Sequence, residues 1–181
     1  MVEIVNVVGF GDLFVELDLR ALADDIEFAD YNPDEHPEMF IKFRGDSPLI
    51  IIYRTGKYII RGGESHERLF QARNNLLDLF ADMGIIPSKE ETTFEVKNVV
   101  CVGNLEQSVD LNKLMLVLGM ESTEYEPEQF PGLVYRPNNS DVTLLVFGSG
   151  KVVLTGSSEV KNAEVALESL QTELNELEGV E

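Results

Sequence analysis

The sequence predicts an α+β protein made of two copies of one unit, each a set of strands closed by a long amphipathic helix. Three observations carry that expectation: a register that recurs along the chain, extended segments punctuated by Pro and Gly, and one helical apolar stripe per copy. Glu3-Ile4-Val5-Asn6-Val7-Val8 returns as Glu95-Val96-Lys97-Asn98-Val99-Val100, a spacing of 92 residues, and Asp18-Leu19 returns as Asp110-Leu111. Tyr31-Asn32-Pro33 is answered by Tyr125-Glu126-Pro127 at a spacing of 94, as are Pro37 by Pro131 and Gly56-Lys57 by Gly150-Lys151. The spacing changes once, so the second copy is two residues longer between Leu19 and Tyr31. The copies are expected at residues 1–88 and 93–181, joined by a short polar link at 89–92.

Each copy reads in the same order. A strand opens it, over residues 4–10 and 94–102, and a short helical segment follows, over about residues 18–25 and 110–118. Extended segments come next, broken at Pro33, Pro37, Gly45 and Gly56, and at Pro127, Pro131, Asn138-Asn139 and Gly150. The closing helices show stripes at Leu69, Ala72, Leu76, Leu79 and Phe80, and at Val165, Ala166, Leu170, Leu174 and Leu177. Ser65 with Arg68 makes a poor capping box, whereas Ser158 is placed to cap the second long helix. Helices then pack on one sheet face, and two such units joining their sheets edge to edge leave the other face bare.

Bulk properties narrow the function. The 181 residues are 44% hydrophobic and 26% charged, an ordinary globular balance. No apolar run reaches the ~18 residues of a membrane span, and no signal peptide is evident. The single cysteine, Cys101, excludes a disulfide framework within a monomer and fits a reducing cytoplasm. The net charge of −19, from 14 basic and 33 acidic residues, opposes nucleic-acid binding on first reading. That objection weakens where phosphate contacts are few and apolar groove contacts many, or where the cytoplasm is salty. The tail at 173–181 alone supplies several of the acids.

The segment from Thr143 to Gly156 sharpens the expectation. Its alternate residues form two sets, Thr143, Leu145, Phe147, Val153 and Thr155 against Leu144, Val146, Val152 and Leu154. Both sets are apolar, and a helix covers only one. The other meets a second packed layer, an oligomer partner or a ligand.

The residues then resemble a known family. Tyr125-Glu126-Pro127-Glu128-Gln129-Phe130-Pro131-Gly132-Leu133-Val134-Tyr135-Arg136, followed by Leu144-Leu145-Val146-Phe147-Gly148-Ser149-Gly150-Lys151-Val152-Val153-Leu154-Thr155-Gly156, is similar to the TATA-box-binding protein family. Asn98-Val99-Val100 stands where that family has an Asn-Ile-Val strand, and the first copy fits the same template, so the resemblance covers essentially the whole chain. It implies an archaeal-type, two-repeat saddle: a ten-stranded curved antiparallel sheet with helices on its convex face. The concave face of such a saddle binds the minor groove and wedges side chains between base steps, a mechanism for which this family is a standing example.

Carried over residue by residue, the resemblance implies a set of DNA contacts. Asn6 and Asn98 donate to groove acceptors, with Val8 and Val100 beside them. Ile51, Ile59 and Arg61 line the first half; Leu145, Val153 and Thr155 line the second, with Pro131 next to a wedge. The wedges are Phe130 and Phe147, and their counterparts are His36 and Tyr53. Thr155 is matched by Arg61 and Gly132 by Glu38, so the first copy departs from the family pattern. Lys42, Lys57, Arg136 and Lys151 are the expected phosphate contacts, and Glu126 and Glu128 the expected docking residues for transcription factor B.

The resemblance thus implies a general transcription initiation factor. Its partners are double-stranded promoter DNA, transcription factor B and the RNA polymerase pre-initiation complex, and its place is a cytoplasmic, nucleoid-associated one. No membrane partner and no cofactor are expected; without DNA, the apolar concave face is open to a homodimer. The alternative is a divergent paralogue that binds proteins or selected promoters with weak or no TATA binding, a reading motivated by His36, Tyr53, Arg61 and the acidity.

Catalysis has little support. His36 and His66 have no cysteine or carboxylate at a metal-ligand spacing, and Cys101 has no histidine near it in sequence. Gly9-Phe10-Gly11 and Gly148-Ser149-Gly150 lack the phosphate-loop and dinucleotide patterns.

Overall fold

The computed structural model describes residues 1–178, with side chains through Glu176. The first copy contains β1 (Glu3–Asp12), α1 (Leu19–Asp25), β2 (Ala29–Asp30), β3 (Met39–Ile41), β4 (Leu49–Ile52), β5 (Lys57–Gly63) and α2 (His66–Asp82). The second repeats that order as β6 (Thr93–Asn104), α3 (Leu111–Leu118), β7 (Thr123–Glu124), β8 (Leu133–Tyr135), β9 (Thr143–Val146), β10 (Lys151–Ser157) and α4 (Val160–Glu178). The link between them forms a single 3-10 turn, Lys89–Glu91, capped by the Ser88 hydroxyl.

The strands form a ten-stranded sheet in the order β2-β3-β4-β5-β1-β6-β10-β9-β8-β7. The ladders within each copy are antiparallel. The fold is therefore α+β, with strand segments and helices in the order the sequence predicts. Two compact units divide the chain, Asn6–Lys97 and Asn98–Glu181 with Met1–Val5. The opening residues of β6 thus belong to the first unit, and those of β1 to the second.

Local chemistry explains the elements. Asp18 and Asp110, the pair picked out by the repeat, are both N-caps: Asp18 Oδ1 accepts from the Ala21 N–H at 3.1 Å, and Asp110 Oδ1 from Asn112 and Lys113. Ser65 caps α2, accepting from the Arg68 N–H at 3.2 Å. At α4 the expectation for Ser158 is corrected. Among the described residues no N–H donates to the Ser158 hydroxyl, and it is the Ser157 hydroxyl ahead of the helix that accepts from the Glu159 N–H at 3.1 Å and the Asn162 side-chain amide at 2.9 Å.

Gly56 and Gly150 fix the β4–β5 and β9–β10 turns. Both have positive φ, 87° and 91°, and a Cβ there would strike the carbonyls of Val15 and Gln107. The turns are bonded alike: Tyr53 N–H donates to the Lys57 carbonyl and Phe147 N–H to the Lys151 carbonyl, each at 2.9 Å.

The core lies between the helices and one sheet face. Leu69, Ala72, Leu76, Leu77 and Phe80 of α2 are buried, so Leu77 and not the half-exposed Leu79 completes that stripe. In α4 the buried residues are Ala163, Ala166, Leu167, Leu170 and Leu174, whereas Val165 points outward at 52% exposure. Val165 is two residues from Ala163, roughly 200° around the helix, and belongs to the opposite side. Leu177 lies outside the residues whose side chains are described.

Tyr58 anchors the first unit's core. Its ring stacks on Phe94 at 5.9 Å, burial pushes its phenol up to about 12, and its hydroxyl is buried beside Arg73 without a hydrogen-bond acceptor among the described residues. The rings of Phe94 and Tyr58 cover Gly9 and Gly11, which accounts for that Gly-x-Gly string by packing.

Candidate nucleic-acid interface

Alternation in β9 and β10 separates two rows sharply. Leu144, Val146, Val152 and Leu154 are each 0% exposed and face the helices. Thr143, Leu145, Phe147, Val153 and Thr155 are all half-exposed on the other side, joined by Val134 of β8 and Val100 and Val102 of β6. The pairings Val134↔Leu145, Leu145↔Val153 and Val153↔Val102 make this row continuous across four strands. In the first unit Tyr58 and Ile60 are buried, while Ile59, Tyr53 and Val8 are half-exposed and Arg61 is exposed.

The two asparagines are held identically. Asn6 Oδ1 accepts from the Gly62 N–H at 2.8 Å, and Asn98 Oδ1 from the Gly156 N–H at 2.9 Å. A backbone N–H only donates, so each amide must turn its oxygen toward the sheet, which directs Nδ2 away. In the second unit Asn98 Nδ2 donates to Thr155 Oγ1 at 2.9 Å. Arg61 occupies the corresponding place in the first unit, and among the described residues no such acceptor meets Asn6 Nδ2.

The wedge positions sit on matched backbone but carry different side-chain packing. His36 N–H donates to the Asn32 carbonyl and Phe130 N–H to the Glu126 carbonyl, each at 2.9 Å. Phe130, 38% exposed, meets Phe147 edge-on with ring centroids 5.8 Å apart. Gly132 permits this, since a Cβ there would come within 2.8 Å of the Phe130 ring and 3.1 Å of Phe147. With Glu38 at the matching position, His36 turns instead to Phe40, edge-on at 5.4 Å. A groove beside Tyr53 remains, lined by Phe10, Tyr31, Pro33, Pro37 and Ile59 among others.

Two residues of this surface carry no obvious signal in the sequence. Phe40, half-exposed, pairs across the sheet with Ile51, which is only 8% exposed, so Phe40 presents more of the surface there than Ile51 does. Phe10, 43% exposed, extends the same row on β1 opposite Ile59. Their second-copy counterparts are Val134 and Val102, and it is this difference in size between the copies that marks them.

Cations are sparse. Lys42, Lys57 and Lys151 are exposed and make no ion pair among the described residues, whereas Arg136 reaches Glu124 at 3.4 Å. Glu126, Glu128 and Pro131 are exposed in the β7–β8 loop. Cys101 lies on the helix-covered side of β6, where burial and then the Glu164 carboxylate push its thiol up, away from nucleophile chemistry. Among the described residues no group of His, Cys, Asp and Glu side chains is placed to hold a metal ion, and no helix is long and apolar enough to cross a membrane.

The two units share one α+β design, with helices on one sheet face and an uncovered apolar row edged by amide side chains on the other. Comparison with known proteins gives the family. The family model described as transcription factor TFIID, or TATA-binding protein (TBP), matches residues 1–83 and 93–177. TATA-box-binding protein C of Halobacterium salinarum is 46% identical over 178 residues, covering 97% of this chain and 98% of its own. The TATA-box-binding protein of Pyrobaculum aerophilum is 40% identical over 176 residues, 97% of this chain and 86% of its own. The solved structure of Methanococcus jannaschii TBP superposes with a TM-score of 0.83 at 34% identity, over 97% of this chain and 98% of that one. The chain belongs to the TATA-binding protein family.

Proposed function

We propose that this chain is a general transcription initiation factor that binds the TATA box of promoters through the minor groove and bends the duplex. One observation carries the reading: the uncovered row of each unit is built from methyls and aromatic rings, with an oriented amide donor and very few cations. The floor of the minor groove at A·T pairs offers only acceptors, and the guanine amino group obstructs an apolar surface pressed against it.

In this reading Asn6 and Asn98 donate to base acceptors, and Val8, Ile59, Val100, Leu145, Val153 and Thr155 cover the groove floor. Ile51, only 8% exposed, contributes less than its cross-strand partner Phe40. Phe130 and Phe147 enter base steps as a preformed pair, while His36 and Tyr53 act singly. Lys42, Lys57 and Lys151 reach phosphates, and Arg136 does so after leaving Glu124. The exposed Glu126 and Glu128 dock transcription factor B, which brings RNA polymerase to the promoter in the cytoplasm. Without DNA, the same apolar row is the surface on which two copies would associate.

The acidity makes salt the informative variable. Conventional binding loses affinity steeply as salt rises, because neutralising phosphates releases counterions. With few phosphate contacts and a −19 charge, added salt screens repulsion and strengthens apolar burial. A band-shift titration with an A·T-rich promoter duplex, at low and at molar salt, is expected to show a complex in both, with affinity level or rising. No complex in either condition would refute groove binding, and a steep decline would refute its apolar basis.

A further inference from the structure

We infer that Arg61 makes DNA recognition polar: the first copy tolerates a G·C pair in its half of the target, and the second copy does not. The inference rests on the groove-binding reading above and adds a base-pair preference to one residue. Arg61 and Thr155 hold matching positions, on β5 and β10, next to Gly62 and Gly156, whose N–H groups fix the two asparagines.

The surroundings differ in chemistry. Thr155 is half-exposed, receives a hydrogen bond from Asn98 Nδ2, and stands in a row with Leu145 and Val153. A guanine amino group brought against this row would lose its water among methyls, because the one hydroxyl there, Thr155 Oγ1, is already engaged by the Asn98 amide. Arg61 is exposed, pairs across the sheet with Leu49, and makes no hydrogen bond or ion pair among the described residues. Its donors suit the O2 and N3 acceptors that A·T and G·C pairs alike present in the minor groove, so a G·C pair still offers it partners. The long, rotatable stem lets the head approach from beside the amino group, so no methyl is forced onto it.

The test uses a self-complementary A·T duplex, on which the two orientations of the protein are equivalent. One G·C pair is introduced in one half, then its symmetry mate in the other, and the pair is moved step by step along the half-site. The first G·C is expected to cost only about twofold, because it removes one of two equivalent orientations and the protein turns its first copy to that half. The second must then face Thr155 and is expected to cost about tenfold or more at the sensitive step. Arg61→Thr should raise the cost of the first toward that of the second, and Thr155→Arg should lower the cost of the second. Equal costs in the unaltered protein would overturn the inference while leaving groove binding intact. Unequal costs that survive both substitutions would remove Arg61 from the role. Failure to bind even the all-A·T duplex would instead defeat the underlying reading, and this inference with it.

Discussion

Phe147→Ala is expected to weaken binding to an A·T-rich duplex by about 5-fold to 150-fold, the range that follows from ~1–3 kcal/mol per aromatic stacked on a base. Phe147 is half-exposed and supported edge-on by Phe130, over a glycine that leaves room for both rings. Such a pair is set in place before DNA arrives, so little rotamer entropy remains to be lost on binding. Tyr53 stands on an equivalent turn, but its expected companion His36 has turned to Phe40. Tyr53→Ala should therefore cost severalfold less than Phe147→Ala in the same band-shift titration. Both variants should fold normally, because neither ring belongs to the buried core. Equal losses would mean that the two copies wedge alike despite their different packing.

The largest stability effect is expected at Phe80→Ala. Phe80 is 0% exposed, and its carbonyl accepts the N–H of Ile85 at 2.9 Å where α2 ends, so the ring and the chain reversal sit together. Truncation removes the transfer free energy of the ring and leaves a cavity, at ~3–5 kcal/mol. For a chain of this size that lowers the unfolding midpoint by about 6–20 °C. Val165→Ala, on the outward side of α4, should stay within ~0.5 kcal/mol. Thermal unfolding followed by circular dichroism compares the two. A large effect at Val165 would contradict the placement of α4 on the sheet.

Much of the fold was legible because its signals are local and repeated. The repeated Asp18 and Asp110 fell at the starts of both short helices, and the Thr143–Thr155 alternation separated the covered row from the open one. The long helices were less legible. Periodicity gives a direction around a helix but not the width of the buried stripe, so Leu77 was missed and Leu79 included. In α4 the β-branched Val165 drew the pattern toward solvent, although the alanines at 163 and 166 face the sheet, where small side chains let a helix lie close. Site residues were proposed in the first copy by using the second copy as a template. Where the copies differ, contacts between side chains decide. Phe40 stands beside the nearly buried Ile51, and Glu38 in place of Gly132 accompanies the packing of His36 on Phe40. Neither follows from alternation, which gives the face of a side chain but not the neighbour it packs on.

The central claim is that a largely uncharged sheet face reads the minor groove. It is tested most directly by replacing A·T pairs in the target with inosine·cytosine pairs, which keep the minor-groove pattern of A·T while giving the major groove the pattern of G·C. Affinity within about twofold of the A·T duplex, with G·C substitution at the same positions weakening binding about tenfold or more, is the predicted result. If inosine·cytosine abolished binding as fully as G·C does, the protein would be reading the other groove, and the account given for Asn98, Leu145, Val153 and Thr155 would be contradicted.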